Sequence, residues 1–430
     1  MTMLFIRFRV GVAAYLAYIF LVPYMNIEIG EFLLQWNFIN IFLLVAFFVH
    51  YRNVKFIEFD LRPLIPFLIY FGISLLLIPF QDGVPSDEAF NTWRMQVMKY
   101  MILPFVIWND IINNDDSLKL YRNVTIGCII VAVLYGLFLT TMPGINPYMI
   151  FISDANGVEF NMAYAAGHST MSEDTTIDEV RIFGRISSVF AHPMTFGLFL
   201  GFALFYLFRN KENIRNWLFY GLIMMILTDI IVCGVRSVIG AIIIATMVLL
   251  LQLRNFKFFI STAIFVSLLI WALTTYFPSL NDYLFSIADQ TSSNVGGSSL
   301  DMRLSQLEGC LKEIQNTIFE GKGYGWTGYY LLIHEEGHPT ILHFESLIFV
   351  ILCNMGIIGL MLWFVMSMKI VAYNNRNKRP IAAFLNSLFV FYIAYACITG
   401  EYGYMQYFII FYILMLGEDL YITNGRIKYL

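Results

Sequence analysis

Charge is what this chain has least of. Lys, Arg, Asp and Glu supply 13% of its 430 residues against 59% hydrophobic residues, where a soluble domain carries about a quarter charged. That shortage excludes a soluble globular protein, which would need far more charge to cover its surface. Five cysteines (Cys128, Cys233, Cys310, Cys353, Cys397) show no paired spacing and mostly fall within apolar runs, so no extracellular disulfide framework is expected. No Walker-type phosphate loop is present, which leaves no basis for ATP hydrolysis. With a net charge of −4 and no basic run, nothing points to a nucleic-acid partner. There is no convincing two-halves repeat of the kind that marks many secondary transporters. The first apolar stretch has no small-residue cleavage site and runs on into further ones, so it reads as a span, not a cleavable leader.

What is present is twelve apolar stretches near the ~20 residues that cross a bilayer as a helix. They lie at residues 8–26, 33–50, 63–81, 95–112, 123–142, 188–208, 216–234, 237–253, 258–277, 343–368, 381–399 and 404–421. With a cytoplasmic N-terminus, 18 of the 26 basic residues fall on the inner side, and every inner segment carries at least two. About 22 of the 30 acidic residues fall outside or near outer helix ends. The expectation is an all-α polytopic membrane protein, residues 1–430 forming one integral membrane domain of about twelve helices with both termini cytoplasmic.

Two connections on the outer side are long, and loops of such length in a compact protein are usually functional or disordered. The first large extracytoplasmic loop, 143–187, is polar and holds an acidic run at Glu173, Asp174, Asp178 and Glu179. The second, 278–342, contains an amphipathic helix, because Leu300, Leu304, Leu307, Leu311, Ile314 and Ile318 recur at spacings of four and three. Ser298 with Asp301 resembles a capping box, and Gly321 supplies the stop. Such a helix lies on the membrane surface or on the bundle. The following Gly-Lys-Gly-Tyr-Gly-Trp at 321–326 is a permissive turn flanked by aromatics, which suits sugar faces and the bilayer interface equally.

The arginines of the outer side carry the chemistry. Arg181, Arg185 and His192 approach the sixth stretch in Arg-Ile-Phe-Gly-Arg-Ile-Ser-Ser-Val-Phe-Ala-His-Pro, Arg236 stands between the seventh and eighth, and Arg303 sits in the first turn of the amphipathic helix. Arginine near hydrocarbon usually has an anionic partner. Arg236 alone has a bland reading, snorkelling to headgroups or pairing with Asp229. Four guanidiniums from three separate segments look instead like a cradle for a multiply charged oxyanion such as a diphosphate. His343-Phe-Glu-Ser346 opens the tenth stretch, and either His343 or Glu345 is placed to act as a general base. His334 and His338 read as residues of a solvated loop, and the His/Glu spacing matches no zinc signature.

Taken in order, these motifs resemble the O-antigen polymerase and ligase superfamily over roughly residues 120–400. The order is Arg-Ile-Phe-Gly-Arg leading to His-Pro, then Arg-Ser between two spans, then an arginine-led amphipathic helix running into Gly-x-Gly-x-Gly. A His-x-Glu-Ser helix ending in Asn-Met-Gly-Ile-Ile-Gly at 354–359 completes it. Met194 departs from the pattern, standing where an asparagine commonly follows His-Pro. The resemblance implies a metal-independent enzyme of the bacterial cytoplasmic (inner) membrane, acting on its outer face with no cofactor. It would polymerise undecaprenyl-diphosphate-linked oligosaccharide repeat units into a surface polysaccharide, with a chain-length regulator and a flippase as candidate partners. Arg181, Arg185, Arg236 and Arg303 would bind the diphosphate, and His343 or Glu345 would take the acceptor hydroxyl proton, with inversion at the anomeric centre. The alternatives are a ligase that transfers glycan to a lipid A core and a flippase or transporter of the same lipid-linked sugar. The pair Gly356 and Gly359 reads as close helix packing.

Overall fold

Long apolar runs in this chain satisfy their backbone groups internally by coiling into helices, the arrangement hydrocarbon demands. The computed structural model describes residues 2–22, 27–29, 32–34, 36–54, 58–142, 145–156, 186–254, 300–334, 337–341, 344–376, 381–401 and 403–423. Apolar helices stand on eleven of the twelve expected stretches, and the remaining one, 258–277, lies outside the described residues. Asp116–Leu139, Leu347–Asn375 and Ala382–Thr399 are long and apolar enough to cross a membrane, and six further apolar helices are shorter. A two-stranded antiparallel hairpin, Ile27–Ile29 with Phe32–Leu34, is the one sheet among the described residues.

Helix ends depart from the hydropathy windows where polar residues cap or extend them. The helix expected from 95 begins at Ser86 with Asp87 and Glu88 in its first turn, where the helix dipole favours acids. The helix expected from 123 begins at Asp115, because Asn114 caps it by accepting from Asp116 N at 3.0 Å.

The Tyr404–Thr423 helix is the centre of the molecule. It is buried without a break from Tyr404 to Asp419 and packs against Ser86–Asn113, Asp115–Leu139, Pro193–Arg209 and Ala382–Thr399. A helix apolar on every side belongs in such a place. Leu76, Trp217, Met361 and Phe364 on peripheral helices are each roughly two-thirds exposed, a surface that suits lipid and not water.

The bundle has two polar ends. At one, buried Asp110 accepts from Tyr51 Oη at 2.5 Å and from Tyr121 Oη, and Arg122 pairs with Glu418 at 3.2 Å. Asn386 bonds Gln252 at 3.1 Å there, which sets the Arg236–Gln252 helix antiparallel to Ala382–Thr399. Arg236 therefore stands at the opposite end, beside the C-terminus of Ala382–Thr399.

Two expectations are corrected by the packing around residues 300–359. The amphipathic helix runs Leu300–Glu313 and gives way to turns through 320, short of the stop at Gly321. The inward face is rotated from its leucine stripe, so that only Leu307 and Ile314 of the described stripe residues face the core. Leu304 and Leu311 are 51% and 46% exposed, while Gln306, Cys310 and Ile314 are buried. Cys310 meets Cys353 with 3.3 Å between sulfurs, a pairing that sequence spacing conceals.

Gly356 does more than let helices pack closely. The Leu347–Asn375 helix breaks there, with φ +61°. Four of the backbone groups at the break are taken up by the preceding turn. Lys322 N donates to Cys353 O at 2.8 Å and Gly323 N to Asn354 O at 3.2 Å, while Ile357 N and Ile358 N donate to Ile318 O and Phe319 O at 2.9 and 3.0 Å.

Candidate functional site

The Arg236 end gathers residues from five segments. His192 caps the Pro193–Arg209 helix, its Nδ1 accepting from Met194 N at 3.1 Å, with Pro193 at the first helical position. Tyr395 Oη donates to Met194 O at 2.7 Å, tying that start to the last turns of Ala382–Thr399. Gly197 lets the Pro193–Arg209 helix approach the next partner closely, since a Cβ there would stand 2.4 Å from Val238 Cγ2. Val238 is two residues into the helix that Arg236 opens, so His192 and Arg236 share one level. His192 Nδ1 is thus engaged in capping.

Arg236 is half-buried and is the first residue of its helix, after Gly234 at φ +65° and with no side-chain cap on the N-terminus. A guanidinium beside uncapped helical N–H groups makes an anion-seeking corner. The alternative partner Asp229 is buried on the preceding helix and faces Gly136, where a Cβ would lie 3.0 Å from either carboxylate oxygen. Among the described residues no ion pair joins it to Arg236, so the pairing with Asp229 is set aside.

Arg303 reaches the same end from the amphipathic helix. Its guanidinium donates to Glu345 O and, at 2.6 Å, to Ile398 O, and it stands 3.6 Å from the Glu345 carboxylate. It therefore occupies the carbonyl-rich end of Ala382–Thr399, which favours a cation. Glu345 is not on a helix as expected. The Leu347–Asn375 helix starts after Ser346, and Phe344 at φ +55° turns the chain just before Glu345. Arg181, Arg185 and His343 lie outside the described residues. The structure thus brings Arg236, Arg303, Glu345 and His192 to one end.

His338 is not in a solvated loop. It is buried beside Tyr330 and Phe344, its Nδ1 accepts from Thr340 N and Ile341 N at 3.2 and 3.1 Å, and its Nε2 faces Glu313 at 3.4 Å. Both ring nitrogens organise the chain at 337–341. Among the described residues no group of three or more His, Cys, Asp or Glu stands together as a metal ligand set.

Sequence reasoning passed over Glu401. It sits in the short turn after Thr399, and its carboxylate accepts from Tyr392 Oη at 3.0 Å and Met405 N at 3.1 Å. Tyr70 and Tyr100 are buried beside it, and Lys99 reaches the same turn, its Nζ 3.0 Å from where a Cβ on Gly403 would be. Burial pushes the Glu401 carboxyl up to about 7, against the opposing pull of Met405 N, Tyr392, Lys99 and Gly403 N. The local signal was an acid between two glycines in a four-residue turn, which ordinarily means a solvated side chain. Tyr324 extends this polar group, donating to Gln96 Oε1 at 2.6 Å while its N–H donates to Gln81 Oε1 at 3.0 Å.

The sequence matches no protein-family model and no curated protein.

Proposed function

We propose that this protein is a membrane glycosyltransferase that polymerises undecaprenyl-diphosphate-linked oligosaccharide repeat units into a surface polysaccharide, at the outer face of a bacterial cytoplasmic membrane. The observation that carries the reading is the convergence of Arg236 and Arg303 on the same end of an apolar bundle, reached from separate segments. Cations at an apolar protein's edge, one at an uncapped helix start, suit a leaving group that is a diphosphate on a lipid. The about twelve spans and two large outer loops belong to this reading, with the loops bringing Arg181, Arg185 and His343 toward the same end. The lipid diphosphate leaves with the electron pair of the C1–O bond as an acceptor sugar hydroxyl attacks from the opposite face, inverting the anomeric centre. No ATP or nucleotide sugar is needed, because breaking the donor's C1–O bond to the diphosphate already supplies the driving force.

A transporter of the same lipid-linked sugar is the second reading, and the break at Gly356 is the observation that favours it, since broken helices line many transporter sites. In transporters the released carbonyls face the substrate. Here Cys353 O and Asn354 O accept from Lys322 N and Gly323 N, so the break is closed by protein. That supports catalysis over transport. A ligase shares the donor chemistry and differs in its acceptor. Polymerisation is preferred because the outer side is acidic apart from its arginines.

The test is purified protein in nanodiscs given lipid-linked repeat units. Wild type should build a ladder of products, and Arg236→Ala should lose about 2–4 kcal/mol of transition-state stabilisation, roughly 30- to 1,000-fold in rate. A ladder of normal length and rate from Arg236→Ala would remove the diphosphate site from the reading. Transfer to lipid A core alone would make the protein a ligase.

A further inference from the structure

We propose that Glu401 is the proton acceptor for the attacking sugar hydroxyl, held in place by Lys99 and Tyr392; this rests on the glycosyl-transfer reading above. A general base must present a carboxylate within hydrogen-bond reach of the acceptor while its other contacts fix its direction. Glu401 is half-buried as a residue, but its carboxylate lies inside the ring formed by Tyr70, Lys99, Tyr100 and Tyr392, so the acceptor hydroxyl has to enter that ring to reach it. Tyr392 Oη holds Oε2 at 3.0 Å and Met405 N holds Oε1 at 3.1 Å, and with the Gly403 N–H as a third donor about one lone-pair direction of the carboxylate is left. It lies three residues after Ile398, whose carbonyl holds Arg303, so proton acceptance and the cationic site share the end of one helix.

Four described segments around it contribute polar groups. Tyr70 comes from Ile65–Leu77, Lys99 and Tyr100 from Ser86–Asn113, Tyr392 from Ala382–Thr399, and the N–H groups of Gly403 and Met405 from its own turn, with Tyr324 next to Tyr70 and Tyr100. Three tyrosines and a lysine round one carboxylate are more than a solvated turn needs. Glu345, by contrast, is oriented by Arg303. In the step, the acceptor O–H bond breaks and its proton goes to Glu401, the new C1–O bond forms, and the C1–O bond to the diphosphate breaks with its electron pair going to the lipid diphosphate. Glu401 then releases the proton to water. A carboxyl pushed up to about 7 by burial can both take and return a proton near neutrality. The ionised form is the working one, so rate rises with pH up to that value and levels above it.

Single-turnover transfer by wild type, Glu401→Gln and Glu401→Asp in nanodiscs, across about pH 5.5 to 9, tests this. Expected are an acid limb in wild type that levels off near the raised carboxyl value, a ~10²–10⁴-fold slower Glu401→Gln without that limb, and nearly unchanged donor KM. Glu401→Asp should keep the limb at reduced rate, and it carries the test if the Gln variant aggregates. Wild-type rate and limb in Glu401→Gln, or no acid limb in wild type, would overturn the inference. Arg236→Ala measured alongside separates the two readings. If it fails while Glu401→Gln polymerises normally, the glycosyl-transfer reading stands and Glu401 falls. Wild type that transfers nothing sinks both.

Discussion

At the residue scale, charge in an apolar chain is conspicuous, and that is why Arg236, Arg303 and Glu345 could be picked from sequence. Their partners could not. Arg303 bonds a carbonyl at position 398 and another at 345, contacts set by packing between segments far apart in the chain. The two carbonyl bonds matter more to the fold than the ion pair, because Arg303 and Glu345 are both partly exposed and water screens their attraction. Arg303→Ala should therefore lower stability by about 1–3 kcal/mol, chiefly through the part-buried Glu345 carbonyl, since the exposed Ile398 carbonyl can turn to water. Glu345→Gln should cost less than about 1 kcal/mol, since both carbonyl bonds survive. Thermal unfolding of detergent-solubilised protein decides it, and equal costs for the two variants would mean that the ion pair, not the carbonyls, holds the helix end. Glu401 was illegible for the same reason that Arg303's partners were. Lys99, Tyr70 and Tyr100 come to it across some three hundred residues of sequence, and nothing in Gly-Glu-Tyr-Gly announces them.

At the scale of elements, helices were legible wherever an apolar run was long, because hydrocarbon leaves the backbone few other choices. The break in Leu347–Asn375 was not. Asn-Met-Gly-Ile-Ile-Gly is compatible with a straight helix packed through small residues, and only the turn at 318–323 gives the break its hydrogen-bond partners. The amphipathic helix shows the matching error. Its period was readable, but period alone does not fix which way the helix turns, and the packed face, Gln306, Cys310 and Ile314, shares only part of the leucine stripe. The break depends on two backbones touching. A Cβ at Gly356 would lie 2.4 Å from Phe319 O, one at Gly321 would lie 2.5 Å from Gly356 N, and both residues have φ between +60° and +75°. Gly356→Ala and Gly321→Ala should each cost about 2–4 kcal/mol, through strained backbone and lost turn-to-helix hydrogen bonds together. Ala substitution at Gly221, where a Cβ meets nothing within 4 Å, is the control and should be near neutral or slightly stabilising. Unfolding temperatures alike for all three would mean that the turn and the broken helix are not locked together.

At the scale of the whole molecule, the sequence assigns sides by counting basic residues, and the fold sorts the same residues to two ends. Arg9, Arg122 and Arg209 gather at the end marked by Asp110 and Glu418, whereas Arg236 and Arg303 stand at the other. A membrane reads this asymmetry through its insertion machinery, which keeps clusters of Lys and Arg in the cytoplasm. Polymer chemistry on exported lipid-linked sugar requires the Arg236 end to face outward, so orientation and function fall together. Position 310 is a poor probe, because the Cys310 side chain is buried against Cys353. Leu332, on the Trp326–Ile333 helix, is 80% exposed and makes a good one, and Glu212, exposed in the turn after Arg209, reports the opposite end. In a cysteine-free background, a membrane-impermeant maleimide added to intact cells with the outer barrier opened should label Leu332→Cys, and should label Glu212→Cys only after the inner membrane is permeabilised. The reverse pattern would turn the Arg236 end toward the cytoplasm. Arg236, Arg303 and Glu401 would then face a compartment that holds no exported acceptor, and a site for polymerising lipid-linked sugar could not be where their geometry places it.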